Sequence, residues 1–198
     1  MELVSPAAEH LPDYLAALRQ GWSPNTVRPE VTGEEIAAIG ADPAGFLRSL
    51  DERSGPLATI VLPDGSRVRR LPGFRLWMWD GAFCGSIGLR WQPGSAELPE
   101  HVLGHIGYAV VPWKRRRGYA TAALRAILPL AAERGLPWVE LTTVPDNHGS
   151  QRVIEACGGV LVERYTQPDA YGGGPGLRYR IALAAAGPER SRPSEDFA

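Results

Sequence analysis

The chain has 198 residues, of which 44% are hydrophobic and 22% charged, and its formal net charge is −1. That balance is enough for one large domain with a real core, and it lacks the broad basic excess of a protein built to coat nucleic acid. No apolar run reaches the length of a membrane span, "MELVSPAAEH" has neither leader charge nor apolar core, and the two cysteines have no partners at zinc spacing, so a cytoplasmic chain with reduced thiols, no membrane partner and no metal is expected.

"MELV" reads as a short strand. Leu11, Tyr14, Leu15 and Leu18 then recur at helical spacing up to Gly21. "GADPAGFLRSLDER" starts another helix, with Asp42 as N-cap and Pro43 at its first position. Two hairpins are expected next, turning at Asp64-Gly65 and at Asp80-Gly81, since Asp-Gly between strand-like runs favours the tight turn. "QPGSAELPE" reads as a surface loop.

From residue 105 the pattern changes. "HIGYAVV" is a strand, residues 118–134 a helix closed by Gly135, and "PWVELTT" a strand again. This strand–helix–strand unit predicts a right-handed crossover and a parallel pair. Pro129 inside the helix removes one hydrogen bond and crowds the carbonyl of Arg125, which predicts a kink. "NHGSQRVIEAC" is a helix ending at Gly158-Gly159, and "VLVERY" and "LRYRIAL" are strands separated by "GGGPG". The polar tail 186–198 reads as disordered.

"VVPWKRRRGYATAAL" carries the chemistry. Lys114 is the sole lysine of the chain, and three arginines follow it before Gly118 opens a helix. Unpaired N–H groups and the dipole of a helix N-terminus favour an anion, and a glycine lets the backbone come close to it. The ligand implied is a compact pyrophosphate rather than a duplex; a solvated turn and a nucleic-acid patch are the competing readings.

Arg115-Arg116-Arg117-Gly118-Tyr119-Ala120 resembles the [Q/R]-x-x-G-x-[G/A] loop of the GNAT superfamily of acyl-CoA-dependent N-acetyltransferases. The preceding strand, the following helix, and "DNHGSQRVIEACGG" with Asn147, Ser150 and Gly158 in register strengthen the likeness. It covers residues 74–183 well. Residues 1–73 match the family's variable substrate-side half by element order, which makes residues 1–185 one domain. The resemblance implies an α+β (mixed α/β) fold: a central mixed, mostly antiparallel sheet flanked by helices, with a splayed parallel strand pair forming the acyl-CoA cleft. It implies acetyl-CoA as co-substrate, held by Val110, Val111, Arg115, Arg116, Arg117, Gly118, Tyr119, Ala120 and Thr121, with Asn147 and Ser150 reaching the pantetheine arm. An amine, from a small molecule or a protein N-terminus, is the implied acceptor, and a homodimer is left open.

The acceptor amine is mostly protonated at neutral pH and has to lose that proton before attack, so a base is needed. His105, where relatives often carry Glu, is the first candidate; a satisfied strand histidine, or a water relay, is the alternative, and His101 and Glu140 rank below it. Val110 is expected to offer its N–H to the developing oxyanion. Ile154 stands where many relatives place a Tyr acid, which leaves Tyr108, Tyr165 or water for that role, or a thiolate that departs without an acid. The same departure keeps a second function open, a non-catalytic acyl-CoA-binding sensor. Cys157 reads as a packed helix-end thiol, Trp77 and Trp79 as core, and "YGGGPG" as a loop covering the substrate.

Overall fold

In the computed structural model, residues 1–25, 28, 30–53, 57, 59–61 and 67–184 are described. The frame is the hairpin of β4 (Gly73–Trp79) and β5 (Phe83–Arg90). Its turn falls at Asp80-Gly81 as expected, with Gly81 at φ 95°. β1 (Glu2–Val4) pairs antiparallel with β4, and β6 (Ile106–Val110) antiparallel with β5, giving the order β1-β4-β5-β6. A second antiparallel sheet has the order β7-β9-β8, from β7 (Trp138–Thr143), β8 (Val160–Thr166) and β9 (Pro175–Ala182). β2 (Thr59–Val61) and β3 (Arg67–Arg69) pair separately. The expected turn at Asp64-Gly65 and the tail 186–198 lie outside the described residues.

Three helices cover one face of the first sheet: α1 (Leu11–Arg19), α2 (Val31–Ala41) and α3 (Pro43–Ser49). α1 buries Leu11, Tyr14 and Leu18 of the predicted stripe together with Ala17, while Leu15 is partly buried. The ring of Tyr14 stacks on Trp77 at 4.5 Å and meets Phe83 edge-on at 5.1 Å, so the strand tryptophan is core. Asp42 caps α3 by accepting from the Gly45 N–H at 2.8 Å. α2 is the element the sequence reading did not find. Gly33 and Gly40 weaken its helical signal, and it buries fully only Ile39.

On the opposite face α4 (Tyr119–Ala132) presents Ala123, Leu124, Ile127 and Ala131 to Met78, Ile87 and Leu89 of the first sheet and to Val139, Leu141 and Ile181 of the second. Gly135, at φ 76°, closes α4, and Pro129 lies inside it as expected. α5 (His148–Glu155) follows β7, with Ile154 fully buried in the same core.

The hairpin carries a bulge that brings β5 hard against β6. Met78 opposes Gly85 and Trp79 opposes Phe83, leaving Cys84 as the extra residue. Gly85 sits at φ 148°, and a Cβ there would stand 2.2 Å from the carbonyl oxygen of Ala109. Gly85→Ala should therefore destabilise the protein by at least about 1–3 kcal/mol from backbone strain alone. The expected readout is a lower urea midpoint with an unchanged slope; a wild-type midpoint would show that β5 can slide away from β6.

Candidate functional site

β6 and β7 flank the crossover helix but belong to different ladders. One backbone bond ties them, from the His105 N–H to the Glu140 carbonyl at 2.8 Å. Beside it Gly104 packs so closely that a Cβ would meet the Glu140 oxygen at 2.9 Å. Beyond this point no ladder joins the two strands among the described residues, which is the splayed pair expected from the sequence. Arg90 N–H donates to the His105 carbonyl and Val111 N–H to the Cys84 carbonyl, each at 2.9 Å. The odd-numbered residues of β6 thus direct their backbone groups to β5. By strand alternation the amides of Tyr108 and Val110 face the opening.

At the open end the chain makes a 3-10 turn over Pro112–Lys114 and enters α4. Arg116 adopts φ 64° and Gly118 φ 78°, left-handed conformations two residues apart. Such a backbone turns successive N–H groups toward one concavity. The first helical bond runs from Ala122 to the Gly118 carbonyl, so the amides of Tyr119, Ala120 and Thr121 have no helical partner. Gly118 is the N-cap, and a Cβ on it would meet no atom within 4 Å. Its positive φ is a second reason for glycine here, beside the close ligand approach expected from the sequence.

The four cations divide. Lys114 forms an ion pair with Asp80, to which the Tyr119 hydroxyl also donates, and this clips the loop to the β4–β5 turn. That lysine, with the tyrosine behind it, holds the Asp80 carboxyl well below the usual range. Arg115, Arg116 and Arg117 are exposed and form no ion pair among the described residues. Arg115 Nε donates to the Val110 carbonyl at 3.4 Å, which links the loop to the open edge of β6.

Across the opening, Asn147 caps α5 by accepting from the Ser150 N–H at 3.0 Å. Ser150 Oγ lies 2.8 Å from the Tyr108 hydroxyl. Burial pushes that phenol up to about 12, so it keeps its proton near neutrality. Among the sequence candidates for the acid, Tyr108 is the one that spans from β6 to the first turn of α5. Ile154 belongs to the core: a Cβ on Gly159 would stand 2.3 Å from its Cγ2.

His105 is 0% exposed, and its Nδ1 accepts from the Glu140 N–H at 3.0 Å. That bond places the ring proton on Nε2, which is buried without a partner. The imidazole stands edge-on to Trp138 at 5.5 Å, and burial pushes its pKa down to about 4. In this geometry it has no free lone pair for an amine proton, and it acts as the clasp between β6 and β7. Glu140 is no freer: Arg178 and Arg180 hold its two carboxylate oxygens at 3.2 and 2.8 Å. Of the sequence alternatives for the base, this arrangement leaves open a water relay and His101. His101 gives its carbonyl to the Tyr171 hydroxyl at 2.8 Å, pinning the "YGGGPG" loop. Cys157 is packed, and burial raises its pKa, as expected of an inert thiol.

The sequence reading also passed over a bare strip on the α1–α3 face. Arg75, Gly88 and Gly107 lie abreast on β4, β5 and β6. Alternation of Gly107 with Ala109 was visible, but the matching Gly88 emerges only from the register.

Between pH 6.5, the ordinary value, and about 4, the unfolded state binds more protons at His105 than the native state does. Stability is thus present above 6.5 and is lost as pH falls through that window, by up to roughly 3 kcal/mol for the full difference. Unfolding free energies from pH 7 to 4 should show this slope, and His105→Asn, whose Oδ1 can still accept from Glu140, should flatten it. An identical slope in the variant would assign the loss to other groups.

A family model described as an acetyltransferase (GNAT) domain matches residues 2–160. No curated protein matches the sequence. Among solved structures, the chain resembles RimL, a ribosomal-protein alpha-N-acetyltransferase in complex with coenzyme A, at 13% identity and TM-score 0.59, covering 91% of this chain and 93% of that one. It resembles the microcin self-immunity acetyltransferase MccE, in complex with acetyl-CoA and AMP, at 12% identity and TM-score 0.58, covering 91% of each chain. A spermidine N-acetyltransferase chimera from Vibrio cholerae and hSSAT matches at 12% identity and TM-score 0.53, covering 92% of this chain and 96% of that one. Among the described residues no group of His, Cys, Asp or Glu is arranged to hold a metal, and no helix is long and apolar enough to cross a membrane.

Proposed function

Because the chain belongs to the GNAT acetyltransferase family, we propose that it moves an acetyl group from acetyl-CoA directly to an amine. The observation that carries this reading is the meeting of two features at one end of β6. The strands β6 and β7 diverge there, and the left-handed turn 115–118 with its three unpaired arginines opens α4 beside them.

The residues fit the co-substrate. The free amides of Tyr119, Ala120 and Thr121, with Arg115 to Arg117 around them, suit a pyrophosphate. The unpaired edge of β6, at Tyr108 and Val110, suits an extended amide-bearing arm, which would add to it as a strand does. Acetyl-CoA supplies the activated acyl group, a thioester open to attack by an amine. The Val110 N–H would face the carbonyl oxygen on which charge develops. Tyr108, held by Ser150 and protonated near neutrality, would donate to the departing sulfur, which takes the place of the acid that Ile154 cannot be. The buried, singly satisfied His105 keeps the two strands joined below the site, and a water would carry the amine proton away.

Acetyl-CoA should raise the melting temperature, with a stabilisation of roughly 2.7 kcal/mol at a hundredfold excess over Kd. Gly118→Val should abolish that shift, since a β-branched residue at this positive φ would unwind the anion-binding turn. Thiol release with a panel of amines tests the transfer itself. Tyr108→Phe should lower kcat by roughly 10²-fold, at the low end for a positioned acid, while leaving the thermal shift in place. A full thermal shift with no thiol release from any amine would make the chain an acyl-CoA sensor instead.

A further inference from the structure

Three rows of side chains cross the α1–α3 face of the first sheet. Trp77, Ser86 and Ala109 form one row and are buried beneath α1. In the next row Arg75, Gly88 and Gly107 stand abreast, and Gly107 is exposed. Gly73 and Arg90 lead the third, with the Arg90 N–H bonded to the His105 carbonyl. The helical layer therefore stops one row short. It leaves a trough whose floor is backbone, because neither Gly88 nor Gly107 has a side chain to fill it.

The trough is walled by arginines, and all but one are neutralised. Arg75 pairs with Glu35 at 2.9 Å and also reaches the Tyr14 hydroxyl at 3.2 Å. Arg70 pairs with Glu52 at 3.0 Å. Across the opening Arg178 engages Glu163 and Glu140, and Arg180 engages Glu140. Arg90 has no ion pair and no side-chain hydrogen bond among the described residues. Its guanidinium lies over the floor, with one terminal nitrogen 3.6 Å from where a Cβ of Gly107 would be. It is crowded yet still open to solvent. Crowding by protein lowers its pKa, the charges of Arg70 and Arg75 lower it further, and only Tyr171 opposes them. No carboxylate is among the groups acting on it.

We propose that this trough binds the acceptor, and that the acceptor is an amine carrying an anionic group, carboxylate or phosphate, which pairs with Arg90. The inference rests on the acetyl-transfer reading above and names the substrate class of that site. Gly107 and Val110 are three residues apart on β6, so anion and amine lie on the order of 10 Å apart along the strand. That is the span of a dipeptide or a small aminoalkyl phosphate. The arrangement disfavours polyamines, because Glu35, Glu52, Glu140 and Glu163 already have arginine partners.

The test compares kcat/KM for four acceptors with acetyl-CoA: a C-terminally amidated dipeptide with an acidic second residue, the same amidated peptide with Asn or Gln at that residue, 2-aminoethyl phosphate and spermidine. The anionic amines should be preferred, and whichever of the two is faster identifies carboxylate or phosphate as the paired group. Arg90→Gln should reduce kcat/KM for the anionic acceptors by about 10–100-fold, the usual worth of a charged hydrogen bond. It should leave the neutral dipeptide and the KM for acetyl-CoA unchanged, and Arg90→Lys should recover part of the loss. Calorimetric titration of the same amines into the CoA-bound protein gives a second readout that needs no turnover. Anion-dependent binding lost in Arg90→Gln without any transfer would support the trough and overturn the acetyl-transfer reading. Preference for spermidine, or an equal loss on neutral and anionic amines, would overturn the trough and leave acetyl transfer standing.

Discussion

The arrangement of the site depends on a clasp two hydrogen bonds wide. His105 gives its backbone N–H to the Glu140 carbonyl and takes the Glu140 N–H on its ring nitrogen. Two strands on either side of a crossover helix would ordinarily continue as a parallel ladder. Here each finds another partner, β5 for β6 and β9 for β7, and the pair is joined only at this end. A hinge this narrow is tolerable because it is dry. The imidazole is fully buried against Trp138, whose outer face is covered by the Arg180 guanidinium at 3.8 Å. In that setting a lost hydrogen bond would leave a buried amide unsatisfied, which costs more than the bond is worth in water. The clasp therefore holds, and strand edges that would otherwise be consumed stay available beyond it.

Charge is organised around the same divide. The turn before α4 exposes three arginines that have no carboxylate partner among the described residues, while Lys114 is held by Asp80 and stiffens the turn instead. On the acceptor face nearly every arginine is matched, with Glu140 shared between Arg178 and Arg180. The tethered pairs fix the wall, and the unmatched groups are those with something left to bind. The two anion sites proposed above are compatible with a chain of nearly zero net charge, because the excess is local rather than global.

Much of this was legible in the sequence, and the parts that were not share a cause. Local signals worked: the Asp42 cap, the Asp80-Gly81 turn, the stripe of α1 and the glycine at the head of α4 each depend on neighbours within a few residues. α2 was missed because Gly33 and Gly40 erase the local helical preference that tertiary packing of Ile39 and the Glu35–Arg75 pair restores. The His105 expectation rested on the residue type, and the type was compatible with a base. What decides its chemistry is the Glu140 amide 35 positions away, which no spacing rule reports. The Gly88–Gly107 floor and the isolation of Arg90 likewise arise only when β5 and β6 are laid in register.

At two positions the structure adds a second reason for a residue that the motif had singled out. Gly118 was expected to let a ligand approach the backbone, and the turn also takes a left-handed conformation there, which glycine adopts without strain. Asn147 was expected to reach for a ligand, and its side-chain oxygen also caps α5, a bond that does not use its amide nitrogen. In both cases the side chain, or its absence, shapes backbone that then presents N–H groups. The same logic extends to Ser150, whose amide is taken by Asn147 and whose hydroxyl holds Tyr108. Cap, serine and tyrosine thus form one chain from the end of β7 back to the middle of β6. The far side of the opening is fixed by this chain just as the near side is fixed by the His105 clasp, so the width of the cleft is set at both ends.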